Sequence, residues 1–188
     1  MASSTKISIC SNALIKIGDK AITSLNDGST RADICNRFYG KCLEAVLRAH
    51  PWKFGTARKT LALLTSTPEF GFKYEYQLPS DCLFVIGTSL DKDEKWSVEG
   101  RKILCDVATL SIQYIVKTTS DADMDALFVE ALEAKLALEI AIPITGQQSI
   151  HDRMTQEYRD KLREARTRDG LEQSRITYEY TGLLDVRY

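Results

Sequence analysis

Between Ala126 and Ile142 the only polar residues are Glu130, Glu133, Lys135 and Glu139. A helix over this stretch is apolar round most of its circumference. It must be enclosed, by its own chain or by neighbouring subunits. It is too short and too charged to span a membrane. Pro143 follows, and a proline removes a backbone donor and crowds the preceding turn, so the helix is predicted to end at Ile142, with Thr145-Gly146 as the turn. Ser120, with Asp123 three residues on, comes close to a capping box and places the start near residue 121.

Three further helices are predicted to surround it. The first runs over about 3–17, capped by Ser3 or Ser4, with Ile7, Cys10, Ala13, Leu14 and Ile17 on one face and Gly18 as its stop. The second runs over about 30–50, with the stripe Ile34, Phe38, Cys42, Ala45 and Ala49, flanked by Leu43 and Val46, and Pro51 ends it. The last runs over about 147–168 with the apolar row Ile150, Met154, Tyr158, Leu162 and Ala165. Its other faces are charged, with Glu157–Lys161 and Glu164–Arg168 at helix-favourable spacing. A short connection makes the last two helices an antiparallel hairpin.

The rhythm changes between about 56 and 118. Thr60–Thr65, Tyr74–Leu78, Cys82–Ile86, Trp96–Val98 and Lys102–Cys105 are short and rich in β-branched or aromatic residues. Leu110, Ile112, Tyr114 and Val116 alternate along a sixth run. Asp91–Lys95 reads as a solvated hairpin tip. The chain is therefore expected to be α+β and mainly α, a helical bundle with a small antiparallel β insertion. Residues 1–170 form one domain, and 171–188 an extended tail.

The composition excludes several functions. The formal net charge of −1 lacks the cationic excess of a nucleic-acid binder. The five cysteines, Cys10, Cys35, Cys42, Cys82 and Cys105, are odd in number and without a C-x-x-C pair, which suits free buried thiols in a reducing compartment. The amino terminus has no apolar signal core. No glycine loop matches a phosphate-binding pattern. The two histidines, His50 and His151, lack partner spacing for a triad or a metal site. Glu130 and Glu133 lack the E-x-x-H companion of a helix metal site. No metal, cofactor or catalytic residue is expected.

One short stretch asks for a role. In His50-Pro51-Trp52-Lys53-Phe54, Pro51 makes a corner, and Trp52 and Phe54 are predicted on one side of an extended segment as its anchors. Burial of each contributes roughly 1.5–3 kcal/mol. An aromatic platform for stacked nucleotides is the functional alternative.

The order CLEAVLRAHPWKFGTARKTL, YQLPSDCLFVIG, RKILCDVATLSIQYIVK, FVEALEAKLALEIAIPITGQ resembles the tail tubular protein A family of short-tailed phages, head-to-tail connectors. The likeness covers roughly residues 3–170. Its most specific pieces are the Pro51-Trp52 turn with Arg58 six residues after the tryptophan, the Leu78-Pro79-Ser80-Asp81 step, and the apolar helix ending in Ile144-Thr145-Gly146. The resemblance implies a dodecameric ring under the portal protein, with the nozzle or tail-tube protein below and genome DNA passing through without sequence-specific binding. It implies a virion location at the head–tail junction, after synthesis in the host cytoplasm. It implies no catalytic residue.

On this reading Leu127, Leu132, Leu136, Ile150, Met154, Tyr158 and Leu162 are expected at subunit interfaces. The tail is expected to dock on portal through Arg175, Ile176, Tyr178, Tyr180, Leu183, Leu184 and Tyr188. Tyrosine and arginine are enriched at binding hot spots, and the alternation Ile176, Tyr178, Tyr180 suits strand addition. A strand within the chain's own fold is the alternative for the tail. Two other functions stay open: a tail-associated enzyme such as a peptidoglycan hydrolase using Glu130, Glu133 or Asp81, and a helical adaptor unrelated to phages.

Overall fold

A computed structural model describes residues 5–91, 93–117, 120 and 123–171. The elements run α1 (Lys6–Lys16), α2 (Thr30–Arg48), β1 (Thr56–Thr60), β2 (Tyr74–Gln77), β3 (Cys82–Thr88), β4 (Trp96–Glu99), β5 (Lys102–Cys105), β6 (Ser111–Val116), α3 (Ala126–Thr145) and α4 (Gln148–Leu171). The class is α+β and mainly helical, with the strands between the second and third helices, as the sequence pattern predicts.

Helix α3 lies at the centre, with α1, α2 and α4 packed against it. Phe128, Leu132, Leu136 and Ile140 are fully buried along it. Its start is later than predicted. Asp125 is the cap: its Oδ1 accepts the N–H groups of Leu127 at 2.8 Å and Phe128 at 3.3 Å, two of the donors a helix start leaves unpaired. Its end is also later, because Pro143 sits inside the last turn. Neighbouring bonds hold that turn. The Thr145 hydroxyl donates to Ala141 O at 2.7 Å and the Gly146 N–H to Ile142 O at 2.9 Å. Gly146, at φ 66°, then reverses the chain.

The flanking helices differ from expectation in detail. Thr5 caps α1, exchanging hydrogen bonds with Ser8 at 3.2 and 2.9 Å; the expected caps Ser3 and Ser4 fall outside the described residues. Ile9 takes the core position expected of Ile7, which is exposed. On α2 the buried face is Ala32, Cys35, Tyr39, Cys42, Leu43, Val46 and Leu47, so the predicted stripe is rotated. Tyr39 explains the rotation: a residue with a polar tip is buried there, and Lys6 Nζ lies 5.1 Å from its ring centroid. Helix α4 continues through Gly170 to Leu171, beyond the predicted end at 168.

Among the described residues, six strands form two three-stranded antiparallel sheets, ordered β1-β6-β3 and β2-β5-β4. The strand predicted at 60–65 is displaced. Thr56–Thr60 pairs with β6 instead, from Thr56↔Ile115 to Thr60↔Ser111, and Leu63 makes one bridge to Tyr76. Backbone pairing carries β1, whose sequence Thr-Ala-Arg-Lys-Thr has no apolar alternation to read. The run at Asp91–Lys95 is not a hairpin tip. It links β3 of one sheet to β4 of the other, and the hairpin turn is at Gly100, φ 59°.

Strand β6 separates two cores. Ile115 faces the helical core with Trp52 and Phe128, whereas Leu110, Ile112 and Tyr114 face a second core with Tyr76, Ile103 and Cys105. The alternation predicted for this strand is therefore present, and on its opposite face Ile115 is buried too. All five cysteines are buried, and none of them forms a disulfide.

Candidate functional site

The corner after α2 is built inward from its backbone. Residues 50–56 form a tight turn rather than the expected extended segment: Trp52 N–H donates to His50 O at 2.9 Å and Gly55 N–H to Trp52 O at 3.2 Å. Pro51 is exposed, while Trp52 is buried and its indole Nε1 donates to Val46 O at 2.8 Å. Trp52 and Phe54 both meet Phe128 of α3 edge-on, at centroid separations of 5.1 and 4.8 Å. The aromatic pair thus anchors the corner, and the buried indole is not a stacking platform.

Asp169, near the end of α4, closes on the same corner. Its Oδ1 accepts the Lys53 N–H at 2.8 Å, and its Oδ2 lies 2.9 Å from His50 Nε2. Arg166 donates to Ala49 O at 2.5 Å. These contacts explain why the helix runs through Gly170. Sequence spacing did not reveal this His50–Asp169 pair; the one available signal was an acid just after the last helix's predicted end.

The candidate acids are spent on ties between helices. Glu133 is buried and accepts from Asn12 Nδ2 at 2.7 Å. Burial pushes its carboxyl above the usual range, against the lowering pull of the Asn12 bond and the Lys16 charge. Glu130 pairs with Lys161 at 2.6 Å, which raises the Lys161 ammonium above its ordinary value. Glu157 reaches Lys16 of α1 at 2.6 Å rather than pairing within α4. Asp81 lies in the turn before β3, beside the second core, and does not join Glu130 and Glu133.

The expected interface residues divide in two. Leu132, Leu136 and Met154 are buried among this chain's own helices. Helices α1, α2 and α4 pack against α3 and bury its face from Phe128 to Ala141. Leu127, Ile150, Tyr158 and Leu162 are partly buried against the same core. The docking residues Arg175, Ile176, Tyr178, Tyr180, Leu183, Leu184 and Tyr188 lie outside the described residues.

A cleft of about 600 Å³ opens where α1 ends and α2 begins, near Pro143 and Thr145. Its facing charges, Arg31 and Asp19, pair with each other at 3.5 Å. Among the described residues no helix is long and apolar enough to cross a membrane.

No known protein family matches this chain, and no curated protein matches it either.

Proposed function

We propose that this chain is a structural virion protein: a ring-forming adaptor between portal and tail nozzle that lines part of the DNA channel. The observation that carries the reading is the mount of the C-terminal segment. Asp169 and Arg166 pin the end of α4 to the corner after α2, so a tail leaving Leu171 departs from a fixed root. A docking tail gains directional precision from a rigid root, because less freedom is lost when it engages.

The charge balance supports the same reading. A net charge of −1 suits a conduit through which DNA slides, since a strongly cationic lumen would hold the phosphates through counterion release. A ring closes through a heterologous contact repeated by rotation, and the charged outer faces of α4 are available for it.

Removal of residues 172–188 tests the tail's part in this function. The shortened chain is expected to keep its helical circular dichroism and to lose its attachment to portal rings. Retained attachment, or loss of the fold, would overturn the docking role.

A further inference from the structure

The second sheet carries different features on its two sides. Its order is β2-β5-β4, so among the described residues β4 has one open edge. Trp96 and Val98 of β4 pair with Cys105 and Ile103, and cross-strand partners share a face. Cys105 and Ile103 are fully buried, yet Trp96 and Val98 are 39% and 43% exposed. They line an open groove of about 460 Å³ together with Leu83 and Phe84 of β3. Arg48 and Arg101 line it too. Their guanidinium groups donate to backbone oxygens, Arg48 to Leu83 at 2.9 Å and Arg101 to Cys82 at 3.2 Å and to Pro79. Among the described residues neither forms an ion pair with a carboxylate. The groove is thus apolar with two unneutralised cations.

The other side of the sheet presents a projection. Leu63 bridges Tyr76 on the side of β2 away from β5, and the chain then loops back into β2 at Tyr74. Both ends of this loop are tied down. The Leu64 N–H donates to Glu75 O, the Ser66 hydroxyl to Glu75 Oε2 and the Lys73 N–H to Asp106 Oδ1, each at 2.9 Å. Between the ties Gly71, at φ 86°, turns the chain. Phe70 beside it is 87% exposed, more than any other large apolar side chain among the described residues. Glu69 is exposed next to it. The result is an aromatic knob with a negative charge on a braced loop, which loses little freedom on docking.

We infer that Phe70 of one copy of this chain seats between Trp96 and Leu83 in the groove of the next copy, with Glu69 against Arg48 and Arg101. Charge complementarity selects a second copy as the occupant: the knob brings the carboxylate that the two guanidinium groups lack. The placement agrees. Knob and groove lie on opposite sides of one sheet, so a copy whose groove is filled still offers its knob to another. Such a contact is heterologous, and rotation can close it into a ring. The inference names the surface between copies, and it rests on the adaptor reading for closure into a ring rather than a filament.

The test follows association of the full-length chain by sedimentation velocity over a range of concentrations, alone and with portal rings. Phe70→Asp and Val98→Asp should each weaken association between copies by roughly tenfold or more, with circular dichroism unchanged. In solution, at concentrations where the wild type associates, a mixture of the two variants should form a one-to-one dimer and nothing larger. One intact knob then meets one intact groove, and this rescue shows that both variants are folded. Variants that associate and fill portal rings as the wild type does would overturn the contact and leave the adaptor reading standing. Loss with Val98→Asp while Phe70→Asp behaves as wild type would pair the β4 edges of two copies and overturn the knob. A wild type that associates through these residues but ignores portal would keep the contact and overturn the adaptor role. A wild type that stays monomeric in both settings would overturn both.

Discussion

His50 Nε2 lies 2.9 Å from Asp169 Oδ2, joining two residues 119 positions apart in the chain. The same carboxylate takes the Lys53 N–H with its other oxygen. One side chain thus fixes the end of α4 to the turn that follows α2, and through it the place from which the C-terminal segment leaves.

Asp169→Ala removes both bonds from the corner. The expected loss is about 1–3 kcal/mol, seen as a lower midpoint in urea unfolding, with fast amide exchange confined to the last turns of α4. Asp169→Asn retains an acceptor for Lys53 and should lose less. Equal midpoints for all three proteins would remove the pin from the account.

Glu133 gives a pH dependence with a definite sign. Burial holds its folded-state pKa above its unfolded value. The folded state therefore binds the proton more tightly, and stability falls as pH rises from the unfolded value through the folded one. Glu133→Gln keeps an acceptor for Asn12 without the buried charge. At pH 7 it should melt a few degrees higher, corresponding to about 1 kcal/mol, and the advantage should vanish in acid below the unfolded carboxyl value of about 4.3. A variant less stable at pH 7 would show that the charge itself is needed.

The five thiols should ignore a disulfide reagent until the chain unfolds. All are buried, and burial pushes the Cys42 thiol up to about 12, with Glu139 adding to the rise. Thiol titration should read none in the native protein and five after denaturation. Rapid native reaction would place a cysteine at the surface.

Trp52 carries the corner. Trp52→Phe leaves Val46 O without the indole donor and opens space beside Phe128. A destabilisation of about 2–4 kcal/mol is expected in equilibrium unfolding. A loss below the error of the measurement would deny the corner its anchoring role.

The sequence was most informative where one interaction dominates a segment. The apolar stretch from Ala126 made an enclosed helix unavoidable, and the alternation Leu110, Ile112, Tyr114 fixed which face of β6 meets the second sheet. It was least informative where tertiary contacts decide. Nothing in Thr56–Thr60 marks a strand until β6 lies beside it. Gly170 belongs to a helix only because Asp169 is held from outside. Leu132, Leu136 and Met154 suited a subunit interface equally well on pattern alone, because an apolar face does not specify whose helices cover it.

The adaptor reading is tested most directly by the mass and shape of the protein before and after it is mixed with its portal. The account predicts a discrete complex with one copy of this chain per portal subunit, visible as an added ring beneath the portal. A protein that remains at its original mass, with no added ring at any ratio, would contradict it.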